Sequence, residues 1–256
     1  MIQQKVEIRF EKGEAIRFIS HHDLMRAIMR AVRRANLPVR LTEGFNPRPR
    51  IVFPVALEAG VASLDEAAEI ELNQCIAPQE VFDRLSSVFP QGIKLKAVKE
   101  LPPRRAGQIP LRIVYLLHLA EAGITLLPET LEQLLKQPAL PFDRPREKHI
   151  QKVDLKPALL GLKLNPQGNL LAEVKPSPNG SARPLELLSL LTGLPLQEVK
   201  RVRVTKLSME LQPAPELTQE QETERQLLLK RRSQQELEPG SSETTLLAEI
   251  PETPLP

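Results

Sequence analysis

Apolar and polar residues alternate in KVEIRF (5–10), a period of two that predicts a strand. Ser20 then stands as an N-cap with Asp23 at the capping-box position, opening a helix to about Ala35. Extended chain is predicted near Val39–Leu41 and Arg50–Val55, and a further strand in AEIEL (68–72). PQEVFDRLSSVF (78–89) starts with Pro and has apolar residues at 81, 82, 85, 88 and 89, a helical spacing. GIKLKAV (92–98) returns to alternation, so the order is strand, helix, strand, strand, helix, strand.

LPPRRAGQIP (101–110) reads as a proline-rich linker, after which the same grammar begins again. LRIVYLLHL (111–119) predicts a strand and LPETLEQLLKQ (127–137) a helix. Strands follow at His149–Leu155 and on both sides of the NPQGN turn, at Leu160–Leu164 and Leu170–Val174. ARPLELLSLLTG (182–193) has Pro near its start and Gly at its end, as helices do. VKRVRVTKLSMEL (199–211) closes the block, and its apolar phase changes between Val204 and Leu207, which predicts a bulge near Thr205. Two βαββαβ blocks predict an α+β protein made of two tandem ferredoxin-like sandwiches, over residues 1–100 and 111–212. From residue 213 to 256 the composition turns to Gln, Glu, Ser, Thr and Pro, which predicts a disordered acidic tail.

Charge sharpens this division. Residues 1–55 hold eleven Lys and Arg against five Asp and Glu, whereas residues 213–256 hold four against nine. A basic body suits polyanionic partners, and the competing explanation is a solvated face that maintains solubility. The single Cys75 excludes a disulfide framework and a cysteine-ligated cluster within one chain. With no long apolar run and no signal-like start, a cytoplasmic protein is expected.

The basic residues are patterned. In SHHDLMRAIMRAVRRAN (20–36), Leu24, Ala27, Ile28, Ala31 and Ala35 share one helical face, while Arg26, Arg30, Arg33 and Arg34 lie opposite. His22 sits one turn ahead of Arg26, and no acidic residue after Asp23 relieves the arginines. Phosphate is the natural counterpart, because guanidinium binds it bidentately. In GFNPRPRIVFP, Pro47 and Pro49 hold Arg48 and Arg50 on extended chain, where residues two apart tend to one side. Phe45 and Asn46 are available there for stacking and hydrogen bonding. The structural alternative pairs these arginines with Glu43 or Glu58.

The segment RFISHHDLMRAIMRAVRRANLPVRLTEGFNPRPRIVFPVALEAGVAS (17–63) closely resembles the DUF2344 family of radical SAM-linked proteins. It carries the arginine before an SHxDL helix start, the arginine-rich helix and the GFNPxP loop. Glu66, EIEL (69–72), VDLKP (153–157) and SARPLELL (181–188) extend the likeness more weakly, over about residues 5–211. His22 stands where Leu is common in that family, and Glu69 where Asp is common. The resemblance implies a companion of a radical SAM enzyme, with a role in RNA metabolism such as tRNA or rRNA modification. The iron–sulfur cluster and SAM are then expected on the partner, with no cofactor in this chain.

Elsewhere the catalytic signal is weak. His21, His22 and Asp23 are helix neighbours that diverge by 100° per residue and do not converge on one atom. Asp154 and Lys156 could form an acid–base pair, although a surface ion pair explains them too, and Arg183 stands near a helix N-terminus where an anion could bind. No glycine-rich phosphate loop, HExxH or GxSxG occurs. Arg17, His22, Arg26, Arg30, Arg33, Phe45, Asn46, Arg48 and Arg50 are therefore the expected anion- or RNA-binding set. The alternatives are an adaptor that binds the radical SAM partner without nucleic acid, and an enzyme acting on a nucleotide-like molecule in the cleft between the two blocks.

Overall fold

The computed structural model describes residues 3–43, 45–102, 107–145, 149–176 and 182–213. Part of the predicted linker, residues 177–181 and, Pro213 apart, the predicted tail lie outside the described residues. Residues 1–42 and 47–216 belong to one compact unit. Of the rest, Glu43, Phe45 and Asn46 are described, and all three are exposed.

The class is α+β. The first block comprises strand β1 (Gln4–Lys12), helix α1 (His21–Arg34), the short strand β2 (Ile51–Val52), strand β3 (Val61–Leu72), helix α2 (Pro78–Ser86) and strand β4 (Ile93–Leu101). The second begins with β5 (Ile109–Leu117) and α3 (Pro128–Lys136), followed by a hairpin of β6 (Pro141–Pro145) and β7 (Ile150–Asp154). It continues through β8 (Leu159–Leu164), β9 (Leu170–Val174), α4 (Pro184–Thr192), the short α5 (Leu196–Val199) and β10 (Val204–Gln212). Ser20 caps α1 as the sequence predicts, its hydroxyl accepting from the Asp23 amide at 3.1 Å.

Strands of both blocks join in one eight-stranded sheet of order β4-β1-β3-β10-β5-β9-β8, with β2 paired to β3. The joint is a short parallel pairing of Val204–Lys206 with Val61–Ser63. Alternation did not predict this joint, because it lies in the part of β3 that the sequence left unassigned. That part reads VASLDEA (61–67) and has no clean period: Val61, Ala62, Ser63, Glu66 and Ala67 are all buried, whereas the apolar Leu64 is exposed. The β6–β7 hairpin forms its own two-stranded sheet, and only its β7 arm was predicted. A register shift between Lys206 and Ser208 places the bulge of β10 next to the predicted Thr205.

Two apolar cores form, the second drawing in Leu57, Val61 and Ala67 from the first half. Leu24, Ile28 and Val32 of α1 and Val81 and Leu85 of α2 pack on Val6, Ile8, Phe10, Ala68, Ile70 and Leu72. In the second half, Leu131 and Leu134 of α3 and Leu187, Leu188 and Leu191 of α4 cover Ile113, Leu117, Ala172 and Val204. Burial of such side chains, at about 1.5–3 kcal/mol each, drives the folding of both halves.

Candidate functional site

The buried face of α1 turns its other side to solvent, and Arg26, Arg30, Arg33 and Arg34 are all exposed there. Arg26 bonds back to Asp23 at 3.2 Å, a one-turn ion pair that salt and water weaken. Arg34 turns aside to the Val88 carbonyl, at 2.5 Å. Arg33 donates from Nη2 to the Pro47 carbonyl at 3.3 Å, which ties the end of the helix to the proline-rich turn. The Arg30 side chain has no partner among the described residues, and His22 is exposed with its ring 6.2 Å from that of His21.

The turn is held by a narrow ladder. Arg50 N–H donates to the Arg40 carbonyl and Thr42 N–H to the Arg48 carbonyl, both at 2.8 Å, while Arg48 N–H donates to the Thr42 hydroxyl at 3.0 Å. This closes the chain across residues 42 and 48 and leaves the Arg48 side chain exposed, without a partner among the described residues. Phe45 is 89% exposed. Arg50 goes elsewhere. It and Arg40 both reach Glu71 Oε2 at 3.4 Å, on a side chain that is only 10% exposed. Ile51 next to it packs in the core beneath α1, so the Arg50 side chain lies on the other face of the strand, where it and Arg40 share the Glu71 carboxylate.

Arg17 also leaves the group. Its guanidinium pairs with Glu14 and stacks over the Phe18 ring at 4.5 Å, and its carbonyl accepts from Gly60 N–H at 2.9 Å. Gly60 precedes β3, whereas Glu71 lies at its far end, about 35 Å away at ~3.3 Å per residue. The predicted set thus divides: Arg26, Arg30, Arg33 and Arg48 are exposed on the helix and the turn, Arg50 shares Glu71 with Arg40, and Arg17 lies beside the start of β3, at the opposite end of that strand from Glu71.

The secondary candidates have structural partners. Asp154 Oδ1 accepts from the amides of Leu140, at 2.7 Å, and Lys156, at 2.9 Å, and these bonds hold its carboxyl below the usual value. The Lys156 ammonium donates to the Leu135 carbonyl, so the two do not act on each other as an acid–base pair. Arg183 pairs with Glu58 at 2.7 Å and lies 3.9 Å from Glu186, so carboxylates already occupy its reach at the start of α4.

A buried polar group surrounds Glu66, which the family likeness includes, and brings in Lys12 and Lys206, for which the sequence predicts no role. Lys206 pairs with Glu66 at 2.5 Å, each 1% exposed, and Lys12 donates to the carbonyls of Arg17, at 2.7 Å, and Ile19, at 3.1 Å. Burial pushes the Lys12 ammonium down to about 8, against the pull of Glu66. His21, whose Nδ1 is buried without a partner, packs edge-on to Phe53 at 5.3 Å. Burial, and then His22, hold it below the ordinary histidine value. A signal existed in the sequence. Lys12 continues the inward phase of Val6, Ile8 and Phe10, and Glu66 that of Leu72, Ile70 and Ala68, so each is a charge where the period demands an apolar residue.

Residues 5–184 match the model of a family described as an uncharacterized protein conserved in bacteria, DUF2344. The chain belongs to the DUF2344 family. The matched span includes α1, the proline-rich turn and the buried Lys12–Glu66 pair of positions, but ends before β10 supplies Lys206. No curated protein matches this DUF2344 chain. None of its described helices is long and apolar enough to cross a membrane.

Proposed function

We propose that this DUF2344 protein is a non-catalytic RNA-binding companion of a radical SAM enzyme, working in the cytoplasm on tRNA or rRNA. In this reading each half, with its fourth, first, third and second strands in that spatial order, is a ferredoxin-like sandwich and the hairpin is an insertion in the second. The observation that carries the function is the bond from Arg33 to Pro47, which sets the exposed arginines of α1 beside the turn that presents Arg48. Arg30 and Arg48 have no counter-charge among the described residues, and bound phosphates would relieve repulsion among the exposed guanidiniums. Few aromatic residues are available for stacking, so backbone contacts dominate and sequence preference is modest. The cluster and SAM reside on the partner in this scheme, since one cysteine cannot ligate such a cluster.

Fluorescence anisotropy with labelled tRNA over a salt series tests the proposal. Neutralising four phosphates gives log K falling against log[salt] with a slope of about −3 to −4. A slope near zero overturns it. If the chain instead captures a cluster-bearing enzyme through Arg30 and Arg48 without RNA, the surface is an adaptor.

A further inference from the structure

A second basic site lies at the other end of the sheet. Where β1 and β5 end and β10 begins, a cleft of about 480 Å³ is lined by Glu14, Arg17, His118, Glu121, Arg201 and Arg203. That volume suits a small polar molecule of nucleotide size.

The donors outnumber the acceptors. Arg17 spends part of its guanidinium on Glu14, and Arg203 spends part of its own on Glu121. Arg201 is exposed with no partner among the described residues, and the Nε–H of Arg203 is buried without an acceptor. A guanidinium has five N–H donors, and a buried donor left unmet is costly. His118 adds no acceptor for a ligand. Arg203 Nη2 lies 3.0 Å from His118 Nδ1, and because arginine only donates, Nδ1 is the acceptor. The ring proton is then on Nε2, donated to the Thr205 hydroxyl at 3.1 Å. Burial, and next the charge of Arg203, hold the pKa of this imidazole below the ordinary histidine value. The histidine therefore holds the Arg203 plane in place.

We propose that this cleft binds a phosphate monoester, the group that ends a free nucleotide or the 5′ terminus of an RNA chain. Three guanidiniums match three terminal oxygens and a double charge better than they match the two oxygens of a carboxylate. As the phosphate draws Arg17 and Arg203 toward itself, Glu14 and Glu121 become acceptors for the hydroxyls of an attached sugar. The inference rests on other residues than the helix-and-turn surface, whose Arg48 belongs to the turn beside the far end of β3.

Isothermal titration calorimetry on the full chain tests it, with AMP, adenosine, inorganic phosphate, and a pentaribonucleotide with and without a 5′-phosphate. AMP is expected to bind at least tenfold more tightly than adenosine. Arg201→Glu, at an exposed residue with no ion pair or hydrogen bond among the described residues, is expected to weaken AMP at least tenfold, and Arg17→Met serves as a second variant. The doubly changed Arg30→Glu, Arg48→Glu protein is expected to bind AMP as wild type, which separates this site from the RNA surface. Preference for the 5′-phosphorylated oligonucleotide over AMP identifies an RNA end as the source, and the reverse preference a free nucleotide. Equal binding of AMP and adenosine, no binding of any phosphate, or unchanged AMP affinity in both cleft variants overturns the proposal.

Discussion

Lys206 and Glu66 form an ion pair at 2.5 Å, each 1% exposed, at the seam where the strands of the two halves meet. Removing one partner leaves a buried charge without compensation, which costs about 3–5 kcal/mol. Glu66→Leu is expected to lose that much in urea unfolding, and adding Lys206→Met to regain most of it. A double variant no more stable than the single one would show that the pair is not the source of the loss.

Lys12 makes stability depend on alkaline pH. Its folded value of about 8 lies below the ordinary 10.5, so between these values the unfolded chain binds more protons than the native one. Native stability therefore rises with pH from about 8, by at most about 1.4 kcal/mol per pH unit from this group. Tyr115 acts in the opposite sense, because burial raises its hydroxyl above the ordinary 10.0 and its contribution falls away as pH climbs past that point. Urea midpoints between pH 7 and 9.5 are expected to rise more in wild type than in Lys12→Met. Parallel curves would refute the assignment.

Arg48 and Arg50 are expected to separate in their effects despite their adjacency in the motif. Arg48→Ala weakens RNA binding across all sequences and flattens the salt slope by about 0.7–1, with stability unchanged within about 0.5 kcal/mol. Arg50→Ala costs about 1 kcal/mol through its half-buried bond to Glu71, while affinity changes little. Anisotropy and urea unfolding on the two variants check this, and a reversed pattern would place Arg50 on the binding surface.

The β6–β7 hairpin is fastened by a two-pronged bond. Arg144 Nε and Nη2 donate to Glu186 Oε1 and Oε2, both at 2.7 Å, with both side chains buried. Lysine keeps the charge but cannot reproduce the planar fork. Arg144→Lys is expected to destabilise the protein by about 2–3 kcal/mol and to expose the hairpin to limited proteolysis first. Unchanged cleavage would show that other contacts hold it.

The α1 cap is a smaller lever. Ser20→Ala removes the acceptor for the Asp23 amide and is expected to cost about 1 kcal/mol in thermal or urea unfolding.

What the chain alone determined is local. The period of two in β1, β4 and β9, the Ser20 cap and the apolar stripe of α1 depend on neighbours within a few residues, so they are written in order along the sequence. The exposure of Arg26, Arg30, Arg33 and Arg34 follows from that same stripe, because a helix that buries one side must show the other. Tertiary structure decided the partners. Nothing near Arg50 in the sequence announces that Glu71 will neutralise it, and nothing near Arg17 places it beside Arg203 rather than Arg48. Those outcomes depend on how a twelve-residue β3 is flanked by β1, β2 and β10, which carries its two ends far apart and gives each a different set of charges. Charge pairing acts over a few ångströms, and chain folding sets which residues come that close.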